Sequence, residues 1–177
     1  MKLFPSLLLA VPLLLAACDG GSTPPPEAPA AKPADRTAEV PSLKVKTVDG
    51  ADYDLAAHRG KWVVVNFWAT WCAPCLKEMP DLSMLDEANA HIEVIGLAYE
   101  DIAAEEMRDF LAQRPVAYPV AILDVYAPPE DFATPRGLPM TYLIAPDGKV
   151  AQQFLGPVTG KEIEAAIATA GGPAAKG

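Results

Sequence analysis

The chain has 177 residues, enough for one domain with appendages, and 51% of them are hydrophobic, enough for a sizeable core. Its net charge of −9, from 14 basic and 23 acidic residues, is the opposite of the basic footprint that nucleic-acid binding requires. The three cysteines are an odd number, so at least one needs an explanation other than an intrachain bridge.

Residues 1–17 have a positive start at Lys2, an apolar centre and small residues at the end, the pattern of a secretory signal. Pro5 and Pro12 interrupt the apolar run, which at about 15 residues is short of the roughly 20 that span a bilayer. Its end, Leu15-Ala16-Ala17-Cys18, resembles the lipobox of bacterial lipoproteins, which implies an acylated Cys18 as the new N-terminus. That accounts for the odd cysteine; ordinary cleavage leaving a free thiol is the alternative. Residues 18–41 then form a tether rich in proline and alanine, too poor in large apolar side chains to join a core.

The predicted domain covers residues 42–172. Leu43, Val45 and Thr47 alternate, Asp49-Gly50 marks a hairpin turn, and Tyr53 and Leu55 return on a second strand. Ala56–Lys61 is a short helical turn or loop with His58 at the surface. The run Trp62–Trp68 is a strand buried on both faces. A helix over Ala73–Ala90 carries Leu76, Met79, Leu82, Met84 and Leu85, with a kink at Pro80. Ile92–Ala98 is the next buried strand, with His91 at the helix end or surface.

Asp101 caps a helix ending before Pro115, with Glu105 and Glu106 suiting its dipole. Pro119–Leu123 is a short strand, 124–138 a proline-punctuated loop, and Met140–Ala145 and Val150–Leu155 a hairpin around Asp147-Gly148. Thr159 and Glu162 form a capping box for a last helix ending at Gly171-Gly172. Residues 173–177 are a tail expected to fray. Alternating strands and helices predict a three-layer α/β sandwich.

Trp71-Cys72-Ala73-Pro74-Cys75 is the chemical centre of this chain. A C-x-x-C that follows a β-type run and opens a helix reads as a thiol–disulfide redox pair. Cys72 falls at or just before the helix N-terminus, where free N–H groups stabilise a thiolate. Cys75 is close enough to close a disulfide with it. The alternatives are an inert structural disulfide and a zinc half-site. Zinc needs about four ligands, and Cys18, His58 and His91 lack the partner spacing, so no metal is expected.

With VVVNFWAT before WCAPC, KEMP after it and GLPMTYLI downstream, residues 42–170 resemble the thioredoxin superfamily. The resemblance is narrowest to membrane-anchored, extracytoplasmic proteins of the TlpA/ResA type. It implies a thioredoxin fold with an N-terminal β-hairpin and a central helical insertion, and no cofactor beyond a redox-active Cys72–Cys75 disulfide. It makes Cys72 the attacking thiol and Cys75 the resolving one. Ala73 and Pro74 set the active-site geometry; without a histidine between the cysteines, unlike strongly oxidising relatives, the pair should be a reductant. Glu78 occupies the position of a glutamate implicated in tuning and protonating the pair, the alternative being an ordinary solvated side chain. Asn66 stands where thioredoxin has a buried aspartate.

Pro139 aligns with the family's cis-proline, with the backbone at Leu138 pairing an extended substrate and Trp71 packing against the partner. Met140 in place of a common threonine, and Thr134-Pro135 ahead of it, depart from the pattern and bear on substrate preference. The resemblance implies a monomeric protein-disulfide reductase acting on disulfide-containing exported proteins, such as cytochrome c maturation or copper-site assembly clients. It further implies reloading by a membrane thiol-transporting reductase, and no nucleic-acid partner. The lipid anchor at Cys18, followed by Asp19, places it on the periplasmic face of the inner membrane. A disulfide oxidase or isomerase is the runner-up enzyme. A Cu(I) metallochaperone is the alternative from another class, though the C-x-x-x-C and distal histidine of copper carriers are missing. A peroxidase would need a P-x-x-x-T-x-x-C motif, also missing.

Overall fold

The computed structural model describes residues 36–174. The signal, Cys18, most of the predicted tether and the last three residues lie outside the described residues. In chain order the elements are β1 (Lys44–Lys46), β2 (Asp52–Asp54), a one-turn 3-10 helix (Leu55–His58), β3 (Trp62–Trp68), α1 (Ala73–Ala88), β4 (Ile92–Ala98), α2 (Ala104–Gln113), β5 (Val120–Ile122), β6 (Met140–Ile144), β7 (Val150–Leu155) and α3 (Gly160–Thr169). From Trp62 onward all eight strand and helix predictions hold to within two residues at either end.

β3 is buried at all seven positions and is the centre of a five-stranded sheet in the order β5-β4-β3-β6-β7. β3, β4 and β5 run parallel, and β6 and β7 run antiparallel to their neighbours. The β3–α1–β4 crossover, then α2 with β5, then β6–β7–α3, is a thioredoxin fold with a helix and an edge strand inserted in its middle. Alternation along β3 sends Val64 and Trp68 to one face, against Met79, Leu82 and Leu85 of α1, Met107 of α2, and Ile163 and Ile167 of α3. Val63, Val65 and Phe67 go to the other face, where Leu43, Tyr53, Leu55 and Phe132 cover them.

The third layer is therefore built from the β1–β2 hairpin, the one-turn helix and the 124–138 loop rather than from a long helix. The prolines in that loop break helical hydrogen bonding, and Phe132 fills the gap by packing edgewise on Tyr142, with ring centroids 5.3 Å apart.

Two boundaries differ from the sequence reading. Asp101 does not cap α2: the N-cap is Ala103, with no side-chain bond. Ile102 packs on the core and holds the chain extended for two more residues. The packed chain also starts before Ser42. The Ala38 N–H donates to Asp131 O (2.8 Å), the Ala133 N–H to Thr37 Oγ1 (2.9 Å) and the Val150 N–H to Glu39 O (2.9 Å). His58, expected at the surface, is half-buried, stacked on Tyr53 at 4.4 Å and hydrogen-bonded to Glu93.

Gly96 in β4 marks a close approach. A Cβ there would stand 3.0 Å from both Trp68 Nε1 and Tyr118 Cε2, and both rings are buried. Gly96→Ala is therefore expected to destabilise the oxidised protein by roughly 1–3 kcal/mol through overpacking. Urea unfolding measures this; an unchanged midpoint would mean the two rings can shift.

Candidate active site

The parallel strands β3 and β4 end at one pole of the sheet, and the redox pair is built there. After Trp68 the chain turns through Ala69 and Thr70, and the Cys72 N–H donates to Ala69 O at 3.1 Å. Cys72 is the N-cap of α1, and its Sγ accepts the Cys75 N–H at 3.3 Å. The cap position follows from chemistry: an extended residue with a short acceptor side chain ends the turn, the N–H of exposed Ala73 is open to water, and Pro74 has no N–H to satisfy. Cys72 and Cys75 are bridged, with Cα atoms 5.3 Å apart.

Around the bridge, Trp71 is 70% exposed and Ala73 and Pro74 are exposed, whereas Cys75 is 0% and Cys72 4% exposed. Cys72 is thus the sulfur nearer the surface. Glu100, at the end of β4, fixes the approach to it. Its carboxylate accepts from the Thr70 N–H (2.7 Å) and the Thr70 hydroxyl (2.9 Å).

Leu138-Pro139 is a cis peptide, and the pairing of Met140 with Phe67 puts it at the same pole. Leu138 packs on the cluster that contains both cysteines, and the Gly156 N–H donates to Pro139 O at 2.9 Å.

Glu78 lies one turn beyond Cys75 on the buried side of α1 and is only 5% exposed. Its Oε1 accepts from Asn66 Nδ2 (2.8 Å) and its Oε2 from the Val158 N–H (2.9 Å). Burial pushes its pKa up to about 7, against the lowering effect of those two donors. It is not a solvated side chain. Such a carboxyl can take or give a proton near neutrality.

The structure brings Trp71, Cys72, Ala73, Pro74, Cys75, Glu78, Leu138 and Pro139 to one pole. Cys18 lies outside the described residues. The sequence reading missed Glu100, Thr141 and Val158, and treated Asn66 only as a substitution. The available signal was a single polar residue in the middle of the run WVVVNFW. Among the described residues no group of three or more His, Cys, Asp or Glu is placed to hold a metal ion, and no helix is long and apolar enough to cross a membrane.

The family model described as Redoxin matches residues 33–169. A thiol-disulfide oxidoreductase ResA from Bacillus thuringiensis (strain Al Hakam) is 35% identical over 130 residues, covering 71% of this chain and 73% of that protein. Among solved structures, a thiol:disulfide interchange protein of the thioredoxin family from Chlorobium tepidum TLS is 26% identical with a TM-score of 0.63, covering 76% of this chain and 97% of that one. A DsbF homologue from Corynebacterium diphtheriae is 25% identical with a TM-score of 0.65, covering 73% and 85%.

Proposed function

Because the chain belongs to the Redoxin family and is a thiol–disulfide oxidoreductase of the ResA/DsbE type, we propose that it works as a reductant of disulfides in exported proteins. The observation that carries this direction is the electrostatics of the pair. A strong oxidant needs a reduced form with a stabilised thiolate. Among the described residues that stabilisation comes from the start of α1, where the Cys75 N–H meets Cys72 Sγ: the intervening residues are Ala73 and Pro74, and the titratable side chain one turn on is the carboxyl of Glu78. A carboxylate beside the pair disfavours the thiolate and so favours the disulfide, which makes the dithiol a better electron donor.

The cycle is written with atoms and electrons balanced. The Cys72 thiolate attacks one sulfur of the client disulfide, forming a Cys72–client mixed disulfide and releasing the first client thiolate. Cys75 gives its proton to Glu78 and attacks Cys72 Sγ, so the Cys72–Cys75 bond forms and the mixed disulfide breaks. The client leaves with two electrons and two protons, one of them from Glu78. Exposed Trp71 and the Leu138 backbone hold the client, the latter by adding an extended client segment as a strand. The clients are disulfides of the cytochrome c maturation or copper-site assembly type, and a membrane thiol-transporting reductase returns the pair to the dithiol.

Location follows the same reading. Cleavage and acylation at Cys18 tether a monomeric domain to the periplasmic face of the inner membrane, which raises its effective concentration near the electron donor. The secretory pattern of residues 1–17 and the lipobox-like ending support this.

Equilibration of the purified domain against glutathione and dithiothreitol couples tests the direction of electron flow. A potential near thioredoxin's value, about −270 mV, is expected. A potential above about −180 mV would assign the protein to oxidation or isomerisation instead.

A further inference from the structure

Asn66 is fully buried in β3, yet only one end of its amide is used. Nδ2 donates to Glu78 Oε1 at 2.8 Å and to Thr141 Oγ1 at 2.9 Å, while Oδ1 has no partner among the described residues. A buried carbonyl without a partner is uncommon and calls for an account. The sheet explains why nothing meets it: Asn66 pairs with Thr141 of β6 on one side and with Gly96, which has no side chain, on the other.

Both partners of Nδ2 can change role. A carboxylate accepts and a carboxylic acid donates; a hydroxyl does either. With Glu78 ionised, the two hydrogens of Nδ2 serve Glu78 and Thr141, as the structure has them. With Glu78 protonated on Oε1, its O–H would face an N–H in that arrangement. Turning the amide by half a revolution puts Oδ1 there, with lone pairs for both the Glu78 O–H and the Thr141 O–H. The Val158 N–H stays on Oε2 throughout. We propose that Asn66, together with Thr141, is a positioning residue that holds Glu78 in both protonation states by reversing its amide. This rests on Glu78 being the proton carrier of the redox pair. An aspartate at 66 would repel the ionised carboxylate, and an apolar residue would take away its Asn66 bond; an amide meets either form with one end, its other end facing the Gly96 side without a partner among the described residues in each case.

The groups facing Glu78 are few. Cys75 precedes it by one turn on α1, and the buried phenol of Tyr118 ahead of β5 feels its charge. β3, β6 and the segment before α3 offer Asn66, Thr141 and the Val158 N–H. Asp81, farther along α1, is engaged by the Gly160 N–H. Burial raises Glu78's pKa and the two donors oppose it, with no cation contributing.

The test uses the oxidised protein, in which neither Cys72 nor Cys75 titrates. The carboxyl band of Glu78 is followed by infrared difference spectroscopy across pH and identified by its loss in Glu78→Gln. The side-chain amide resonances of Asn66 are followed by NMR over the same range. In the wild-type protein both should titrate with one midpoint, and the Asn66 signals should stop titrating in Glu78→Gln. Thr141→Ser should keep the wild-type midpoint, whereas Thr141→Val and Asn66→Leu should raise it, the latter by about one pH unit, a tenfold change in the acid equilibrium. Asn66 resonances that stay still while Glu78 titrates would overturn the proposal, and the wild-type measurement needs no variant to fold. The premise is tested separately by the pH dependence of thiol alkylation in the reduced protein. If Glu78→Gln leaves that profile unchanged, Glu78's role fails whatever the amide does.

Discussion

Cys72→Ser is expected to reduce disulfide exchange to background, and Cys75→Ser to accumulate clients as stable mixed disulfides through Cys72. The two losses differ in kind. Cys72 is the sulfur nearer the surface and caps α1, so its removal takes away the attacking group. Cys75, one turn inside and wholly buried, cannot replace it, because a client sulfur cannot reach it. Removal of Cys75 leaves the first step intact and stops the second, so the intermediate persists. Neither change should unfold the protein. A serine at 72 is itself a favoured N-cap and keeps an acceptor for the Cys75 N–H, and the bridge closes too short a loop to contribute much chain entropy. Non-reducing electrophoresis and mass spectrometry of both variants after exposure to an oxidised protein substrate separate the roles. Equal trapping by both would remove the assignment of Cys72 as sole nucleophile.

Glu78→Gln should change strongly how stability depends on pH. In the folded protein the carboxyl has a pKa near 7, against 4.5 as the reference value. The folded state therefore binds this proton more tightly than the unfolded chain. Its contribution is fully present below pH 4.5, is lost as pH rises toward 7, and is level above that. A displacement of this size corresponds to about 3 kcal/mol. Glutamine does not titrate, so the variant should gain on the wild type by about that much between pH 4.5 and 8. Asp86, also pushed up by burial, affects both proteins alike and cancels in the difference. Urea unfolding at the two pH values measures it, with the disulfide kept intact. A difference between the proteins that does not vary with pH would mean the carboxyl is not held as the geometry requires. Catalysis should move the other way. Without an acceptor for the Cys75 proton, resolution of the mixed disulfide at pH 7 should slow on the order of a hundredfold.

The parts of this protein readable from sequence are those whose cause is local. Three valines, a phenylalanine and two tryptophans in seven residues mark a strand covered on both faces. Thr159 and Glu162 make both bonds of the predicted capping box, because a box is set by residues three apart. The position of Cys72 at the head of α1 follows from the break between an apolar run and a helical one.

What was not readable depends on residues far apart in the chain. The Glu78 cage is closed by Asn66, Thr141 and Val158, and the register of β3 on β6 brings the first two side by side. No motif announces that register. The start of α2 was misjudged for a related reason. Asp101 has the chemistry of a cap, but the packing of Ile102 on the core decides where the chain may turn. The early onset of the packed chain was hidden by composition, since the residues around Thr37 resemble the proline- and alanine-rich sequence before them.

Those first packed residues bear on where a protease can trim the domain without loosening it. Thr37 and Ala38 are stitched to Ala133 and Asp131, and Ser42 adds two bonds from its N–H and hydroxyl to the Asp131 carboxylate. All of these fasten the loop that leads into Leu138 and Pro139. A protease cutting ahead of Arg36 would release a fragment with every fastening in place. One cutting at Pro41 would spare all the strands and helices yet remove the stitches at Thr37 and Ala38, leaving the Ser42 bonds and the packing of Phe132 to hold the loop. The two fragments would look alike by circular dichroism and differ in how firmly the 124–138 loop is held, so the scissile bond, more than the bulk of the fragment, decides how well the segment before Leu138 and Pro139 keeps its place.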